Sequence, residues 1–260
     1  MKPLKAIKSR HDTFKTNHFN FFPESYKLKK LHNIHAGEKC FVIGNGPSLK
    51  AEDLEVIKNK GLVTFAFNRI YHIFDQTSWR PTYYISQDEK MLVGCVNEVS
   101  KLITSTKFIP IQMKWYYDID ISGANFFNIV HDEEKGYPKF SRDITRCVVN
   151  AGTVVYSAIQ FAVYMGIKEI YLIGVDHQFQ TSINEKGEIV VDTTIKDYFS
   201  DKYNEDKNVL AIPNPSKSTL TYISAKKYSE KYGFDVYNAT RGGKLEVFPR
   251  VDFDEVIKRL

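Results

Sequence analysis

Apolar and polar positions are grouped in blocks along this chain. The first apolar run, residues 40–43 (Cys-Phe-Val-Ile), has the length and content of a strand buried on both faces. Further strand-like runs stand at 62–67, 81–86, 107–111, 169–175 and 235–237. Between them, apolar residues recur at helical spacing. Residues 53–60 follow this pattern, as do 89–102 through Met91, Leu92, Cys95, Val99 and Leu102. So do 154–163, through Val154, Val155, Ala158, Ile159, Ala162 and Val163, with Gly166 as the stop. Helices are also expected at 219–232, ended by Gly233, and at 253–260. Strands alternating with helices predict parallel pairing through right-handed crossovers. The expected fold class is α/β, a Rossmann-like, mostly parallel sheet flanked by helices.

Some segments break the pattern. Residues 1–36 place Lys2, Lys5, Lys8, Arg10, Lys15, Lys27, Lys29 and Lys30 among Phe14, Phe19, Phe21, Phe22 and Tyr26, with no clean helical period. This reads as a basic, aromatic N-terminal arm ahead of one domain over 37–260. The arm has two readings: contact with an anionic membrane surface, or rings packed on the domain with the lysines solvated. Residues 112–145 predict an irregular excursion with a short strand at 126–130. Ser182 and Ile183, with 189–191, flank Glu185-Lys186-Gly187-Glu188 and predict a hairpin. The polar stretch 192–215 is a candidate lid or a solvated loop.

Composition narrows the function classes. The 260 residues are enough for one α/β domain with a full core. A net charge of +5 favours anionic ligands, but the main body has no basic stripe interleaved with aromatics and no nucleic-acid motif. Cys40, Cys95 and Cys147 are isolated, which points to a reducing compartment and away from structural zinc. No run is long enough to span a bilayer and no signal sequence opens the chain. The expected location is cytoplasmic, with the arm allowing peripheral contact at the inner face of the membrane. A homo-oligomer is compatible with all of this.

Candidate chemistry gathers at strand ends, which share one rim in an open parallel sheet. The first strand runs into Gly44-Asn45-Gly46-Pro47-Ser48-Leu49. A glycine turn opening a helix offers backbone N–H groups to a phosphate. It is neither G-x-G-x-x-G nor a P-loop, and it also reads as an ordinary βα turn. Asn68 ends the second strand, either as a ligand or as N-cap of a helix at 70–74. Asp176 and His177 end the strand at 169–175, and Asn238, Thr240 and Arg241 follow the last core strand. The set suits a nucleotide, with amides for base or ribose and backbone N–H and Arg241 for phosphates. His177 is the only histidine beside a strand-end carboxylate, and is either a general base or a rim histidine held by a hydrogen bond. Asp176 is a base candidate or a Mg²⁺ ligand on a diphosphate. Arg241-Gly242-Gly243 is a phosphate loop, or a turn with Arg241 paired to a carboxylate. No metal-ligand spacing and no Ser-His-Asp arrangement appears.

The Gly44–Leu49 motif, residues 170–177 and residues 238–246 together resemble the MptE-like family, over about 37–255. That family includes 6-hydroxymethylpterin diphosphokinases and the flagellin-glycosylation Maf proteins. Gly44–Leu49, Asn68 and the stretch 152–176, which opens with Gly152 and Thr153, are also similar to bacterial CMP-sialic-acid-dependent sialyltransferases. This second resemblance implies a GT-A-like variant of the Rossmann fold, with Asn45 and Asn68 binding the CMP donor and no metal. Gly44, Gly46, Ser48, Gly152 and Thr153 join that donor set. One departure is plain: the sialyltransferase base histidine precedes the penultimate helix, where this chain has Pro213-Asn214-Pro215-Ser216-Lys217. The implied activities are glycosyl transfer from a nucleotide sugar to a glycan or small hydroxylated acceptor, or Mg²⁺-dependent diphosphate transfer from ATP. A nucleotide-binding protein without catalysis is the third reading.

Overall fold

The computed structural model describes residues 13–132, 136–204 and 212–260. Lys2, Lys5, Lys8 and Arg10 of the arm lie outside the described residues.

The strands in chain order are β1 (Lys39–Ile43), β2 (Val63–Phe67), β3 (Tyr83–Ile85), β4 (Thr106–Pro110), β5 (Ala124–Phe127) and β6 (Ile129–His131). β7 (Val148–Asn150), β8 (Glu169–Ile173), β9 (Thr181–Ile183), β10 (Ile189–Val191) and β11 (Asp235–Asn238) follow. Seven of them form one sheet in the order β11-β8-β1-β2-β3-β4-β5, every pair parallel. Helices flank it, giving the expected Rossmann-like α/β fold. Continuous apolar strands produce this because both faces are covered: β1 and β2 are buried along almost their whole length. Phe41 and Tyr171 stack across β1 and β8, and Phe65 and Tyr83 across β2 and β3.

The strand order reverses direction once. From β1 the chain adds β2 to β5 on one side, then returns to place β8 and β11 on the other. Open α/β sheets bind ligands in the crevice at such a switch point, here between the carboxyl ends of β1 and β8.

Three expected elements take a different form. The helix expected over 89–102 is two helices, Glu89–Gly94 and Val96–Leu102, separated at Cys95 just after the poor helix former Gly94. The helix expected at 70–74 is a 3₁₀ turn, Ile70–Ile73, whose N-cap is Arg69 without a side-chain bond, so Asn68 does not cap it. The excursion at 112–145 supplies a helix, Ile111–Tyr116, the edge strand β5, and β6, which leaves the main sheet to pair in parallel with β7.

Of the arm, Phe19, Ser25 and Leu28 are fully buried, and the helix Pro23–Lys29 packs on β5. Phe14, Phe21 and Tyr26 remain exposed. Among the described residues, no helix is long and apolar enough to cross a membrane.

Candidate nucleotide-binding site

A cavity of about 790 Å³ opens at the switch point. Its floor is the turns after β1, β2 and β8, and the start of the helix Pro215–Tyr232 closes one side. Of the residues expected there, Gly44, Asn45, Gly46, Asn68, Gly152, Thr153, Asp176 and His177 line it. Ser48, Asn238, Thr240 and Arg241 do not.

The glycine turn is built for contact with the β8 turn. A Cβ on Gly44 would meet the Gly174 carbonyl oxygen at 2.2 Å, and one on Gly46 would lie 1.9 Å from Asp176 Oδ2. Only glycine allows the two loops to touch. Most of its backbone donors are used in that contact or within the turn. Gly44 N donates to Ile173 O at 2.8 Å, Gly46 N to Gly174 O at 2.8 Å, and Leu49 N to Gly46 O at 3.1 Å. The Ser48 hydroxyl donates to Asp176 Oδ2 at 2.8 Å, and Ser48 N points to the same oxygen at 3.4 Å. The turn already holds a carboxylate, which favours its reading as an ordinary βα turn over that as a phosphate cradle.

Asp176 is buried, and burial pushes its carboxyl above the usual aspartate range, against the pull of the Ser48 bonds. A Mg²⁺ ion prefers several oxygen ligands at octahedral geometry. Asp176 Oδ2 is taken by Ser48, and the described residues contain no group of three or more His, Cys, Asp or Glu able to hold a metal. One carboxylate beside substrate phosphates is a common way to hold Mg²⁺, so Asp176, with Asp88 and Asp197 in the same cavity, keeps its reading as a candidate ligand on a diphosphate.

Asn45 is the opposite case. Its Nδ2 donates to Phe67 O at 3.2 Å and to Tyr203 Oη at 3.3 Å. A carbonyl can only accept, so the amide orientation is fixed. Its Oδ1 is then buried with no partner among the described residues. Asn68 adopts the left-handed region (φ 52°), and its Oδ1 accepts from Ser86 Oγ at 3.3 Å. Tyr203, stacked on Tyr198 at 3.8 Å, roofs the two asparagines. The Tyr203 carbonyl accepts from Arg69 Nη1 at 2.9 Å, and Phe199 N donates to Asn45 O at 3.0 Å. Residues 199–203 of the polar stretch that reads as a candidate lid are thus docked beside Asn45 and Arg69.

His177 also has a positive φ, of 54°. Its Nε2 lies 2.8 Å from Thr219 Oγ1 on the helix Pro215–Tyr232. Tyr222 and Phe179 meet the ring edge-on. Burial lowers its pKa below the usual 6.5.

Arg241 carries out the structural alternative. Its Nε and Nη2 donate to Asp53, and Nη1 and Nη2 to Asp254. Asn238 Nδ2 donates to Leu245 O and its Oδ1 accepts from Thr240 N, while Thr240 Oγ1 accepts from Val175 N. These three residues brace the rim from behind.

Several lining residues escape sequence reading. Gln87 donates to Asn150 Oδ1 at 3.1 Å and accepts from Ser157 Oγ, a polar seam joining three elements. His131 ends β6 and lines the cavity, followed by Asp132. His177 is therefore not the only strand-end histidine beside a carboxylate. The His-Asp pair is visible in the sequence, but the short strand expected at 126–130 stops one residue before His131.

Comparison with known proteins adds the following. Residues 13–182 match the family described as 6-hydroxymethylpterin diphosphokinase MptE-like. The match begins inside the arm and stops before Asn238, a different span from the 37–255 of the motif resemblance. No curated protein matches. A Maf glycosyltransferase from Magnetospirillum magneticum AMB-1 is similar in structure with a TM-score of 0.51 at 15% identity, over 92% of this chain and 38% of that one. The chain thus spans well under half the length of that relative. The sialyltransferase CstII from Campylobacter jejuni, in complex with cytidine-5'-monophosphate, gives 0.48 at 14% identity over 83% and 85% of the two chains. At such identities the likeness is one of fold. The family match covers well over half of the chain, arm and cavity turns included, and on it the chain belongs to the 6-hydroxymethylpterin diphosphokinase MptE-like family.

Proposed function

We propose that this protein is a transferase using a nucleotide-activated donor, and that it moves a sugar, in the first instance a CMP-linked acidic sugar, to a hydroxyl of a glycan or small acceptor in surface-glycan synthesis. The observation that carries the reading is Asn45 Oδ1, a buried acceptor without a donor beside Asn68 at the switch point. Leaving such an atom unpaired costs on the order of 1–3 kcal/mol. An amino group or hydroxyl of a nucleoside would satisfy it. The resemblance of Gly44–Leu49 and Asn68 to CMP-sialic-acid-dependent enzymes supports CMP as the first donor to test.

In this reading the acceptor oxygen forms a bond to the anomeric carbon as the bond from that carbon to the phosphate oxygen breaks. CMP leaves, and His177 takes the acceptor proton. The imidazole lies against the first turns of the penultimate helix, the place from which the sialyltransferase family supplies its base. General-base assistance of this kind contributes roughly 10²–10⁴ in rate.

Diphosphate transfer from ATP is the second reading, favoured by the family's description, with Asp176 as the candidate Mg²⁺ ligand. A thermal-shift panel of CMP, CDP, UDP, GDP and ATP, each with and without Mg²⁺, separates the two. CMP should stabilise the protein independently of Mg²⁺. Asn45→Ala should keep the fold and weaken CMP by about 1–3 kcal/mol. Stabilisation by ATP with Mg²⁺ alone would overturn glycosyl transfer in favour of the kinase. Nucleotide binding with no transfer to any acceptor leaves the non-catalytic reading.

A further inference from the structure

The His177 ring can carry its neutral-state proton on either nitrogen, and only the other nitrogen is basic. Its hydrogen-bond partner decides which. Thr219 is four residues into the helix from Pro215, and its Oγ1 donates to the Pro215 carbonyl at 2.9 Å. This is the back-bond that helical threonines make to the residue four before. A hydroxyl has one proton. With that proton on the carbonyl, Oγ1 presents lone pairs to His177 Nε2, 2.8 Å away.

We propose that Thr219 is a positioning residue which holds His177 as the Nε2–H tautomer, so that Nδ1 is the nitrogen that receives the acceptor proton. This rests on His177 as the base of the transfer proposed above. Three further features fit it. Nδ1 is not among the buried unpartnered atoms, while the ring lines the cavity. Tyr222 and Phe179 hold the ring edge-on from two sides, which limits rotation about χ2. The backbone at His177 is left-handed, an uncommon state for a residue with a side chain and one found at sites where orientation matters. In the step itself the proton passes from the acceptor hydroxyl to Nδ1 as the oxygen attacks, and Nε2–H stays on Thr219 throughout. The resulting imidazolium then releases the Nδ1 proton to solvent. The role asks for a hydroxyl at 219, and serine would serve.

The test has two arms on the full chain. In the first, the protein is labelled with ¹⁵N-histidine and the His177 ring signals, assigned by their loss in His177→Gln, are read above the ring pKa. The expected result is the Nε2–H tautomer in the native protein and in Thr219→Ser, and a mixture in Thr219→Val. An Nδ1–H tautomer in the native protein, or an unchanged ring in Thr219→Val, overturns the proposal. In the second arm, single-turnover release of CMP from CMP-N-acetylneuraminic acid is followed. Thr219→Val should lose about ten- to a hundredfold in rate, Thr219→Ser should recover most of it, and CMP affinity should hold in both. A full rate in His177→Gln removes His177 as base, while the first arm still reads Thr219 on its own.

Discussion

Asp176 occupies a costly place for a charge. It is buried beside Gly46, and the groups that favour its ionised form are its own backbone N–H and the N–H and hydroxyl of Ser48. Its folded pKa stands above the ordinary 3.8. The carboxyl therefore contributes most stability when protonated and loses it as pH rises through the folded value. Ser48 limits that loss, because hydrogen bonds to a charged group are stronger than those to a neutral one. Ser48→Ala should cost roughly 1–3 kcal/mol near neutral pH and distinctly less in acid, read from urea midpoints between about pH 4 and pH 8. A cost that is the same at both ends would detach Ser48 from Asp176 and return it to the ligand-facing set. The same residues show where sequence reading stops. Glycines at 44 and 46 announce a tight approach, but whether a phosphate or a carboxylate fills the space depends on Asp176, a residue 130 positions later.

At the scale of elements, the strand ends were legible because burial on both faces leaves a continuous apolar signature, and β1, β2 and β8 fall within two residues of their expected limits. Asn45, Asn68, Asp176 and His177 then share a rim by topology alone. Two kinds of feature were not legible. A strand as short as β7 has three residues, too few for a period to register, and the one run expected at 126–130 divides into β5 and β6. Side-chain pairings across distant elements, such as Gln87 with Asn150, have no local signal at all. Arg241 belongs to this second class. Its position after β11 places it on the rim, yet its guanidinium ties the helix Ala51–Asn59 to the helix Phe253–Arg259 through Asp53 and Asp254. Two carboxylates raise its pKa further, so it stays charged at any working pH. The cluster is partly exposed, and solvent screens it. Arg241→Gln should therefore cost about 1 kcal/mol, equivalent to roughly 2–4 °C in melting point, and leave nucleotide affinity unchanged. A loss of affinity without a shift in melting point would put Arg241 back on the donor phosphates.

For the whole molecule, the question is where the folding unit begins. The described part of the arm lies against the far edge of the sheet from β11, with Ser25 Oγ donating to Thr145 O at 2.9 Å and Asn128 Nδ2 to Thr16 O at 2.9 Å. Asn128 is the residue at which the chain leaves β5 for β6, so the arm is bonded to the hinge that carries His131 toward the cavity. Phe19 is fully buried and meets Trp115 edge-on, whereas Phe21, two residues on, is 70% exposed. The pair makes a controlled test of the arm as part of the core. Removing a fully buried phenylalanine costs about 3–5 kcal/mol, through lost transfer energy and the cavity left behind. Removing an exposed one changes stability by roughly 0.5 kcal/mol or less. Phe19→Ala should thus lower the urea midpoint of the whole protein in a single transition, and Phe21→Ala should leave it in place. If both variants unfold like the native chain, the arm contributes nothing to the fold, and its rings are free for the membrane contact its lysines allow. If Phe19→Ala instead splits unfolding into two transitions, the arm and the edge strand β5 form a unit that melts apart from the half that holds the cavity.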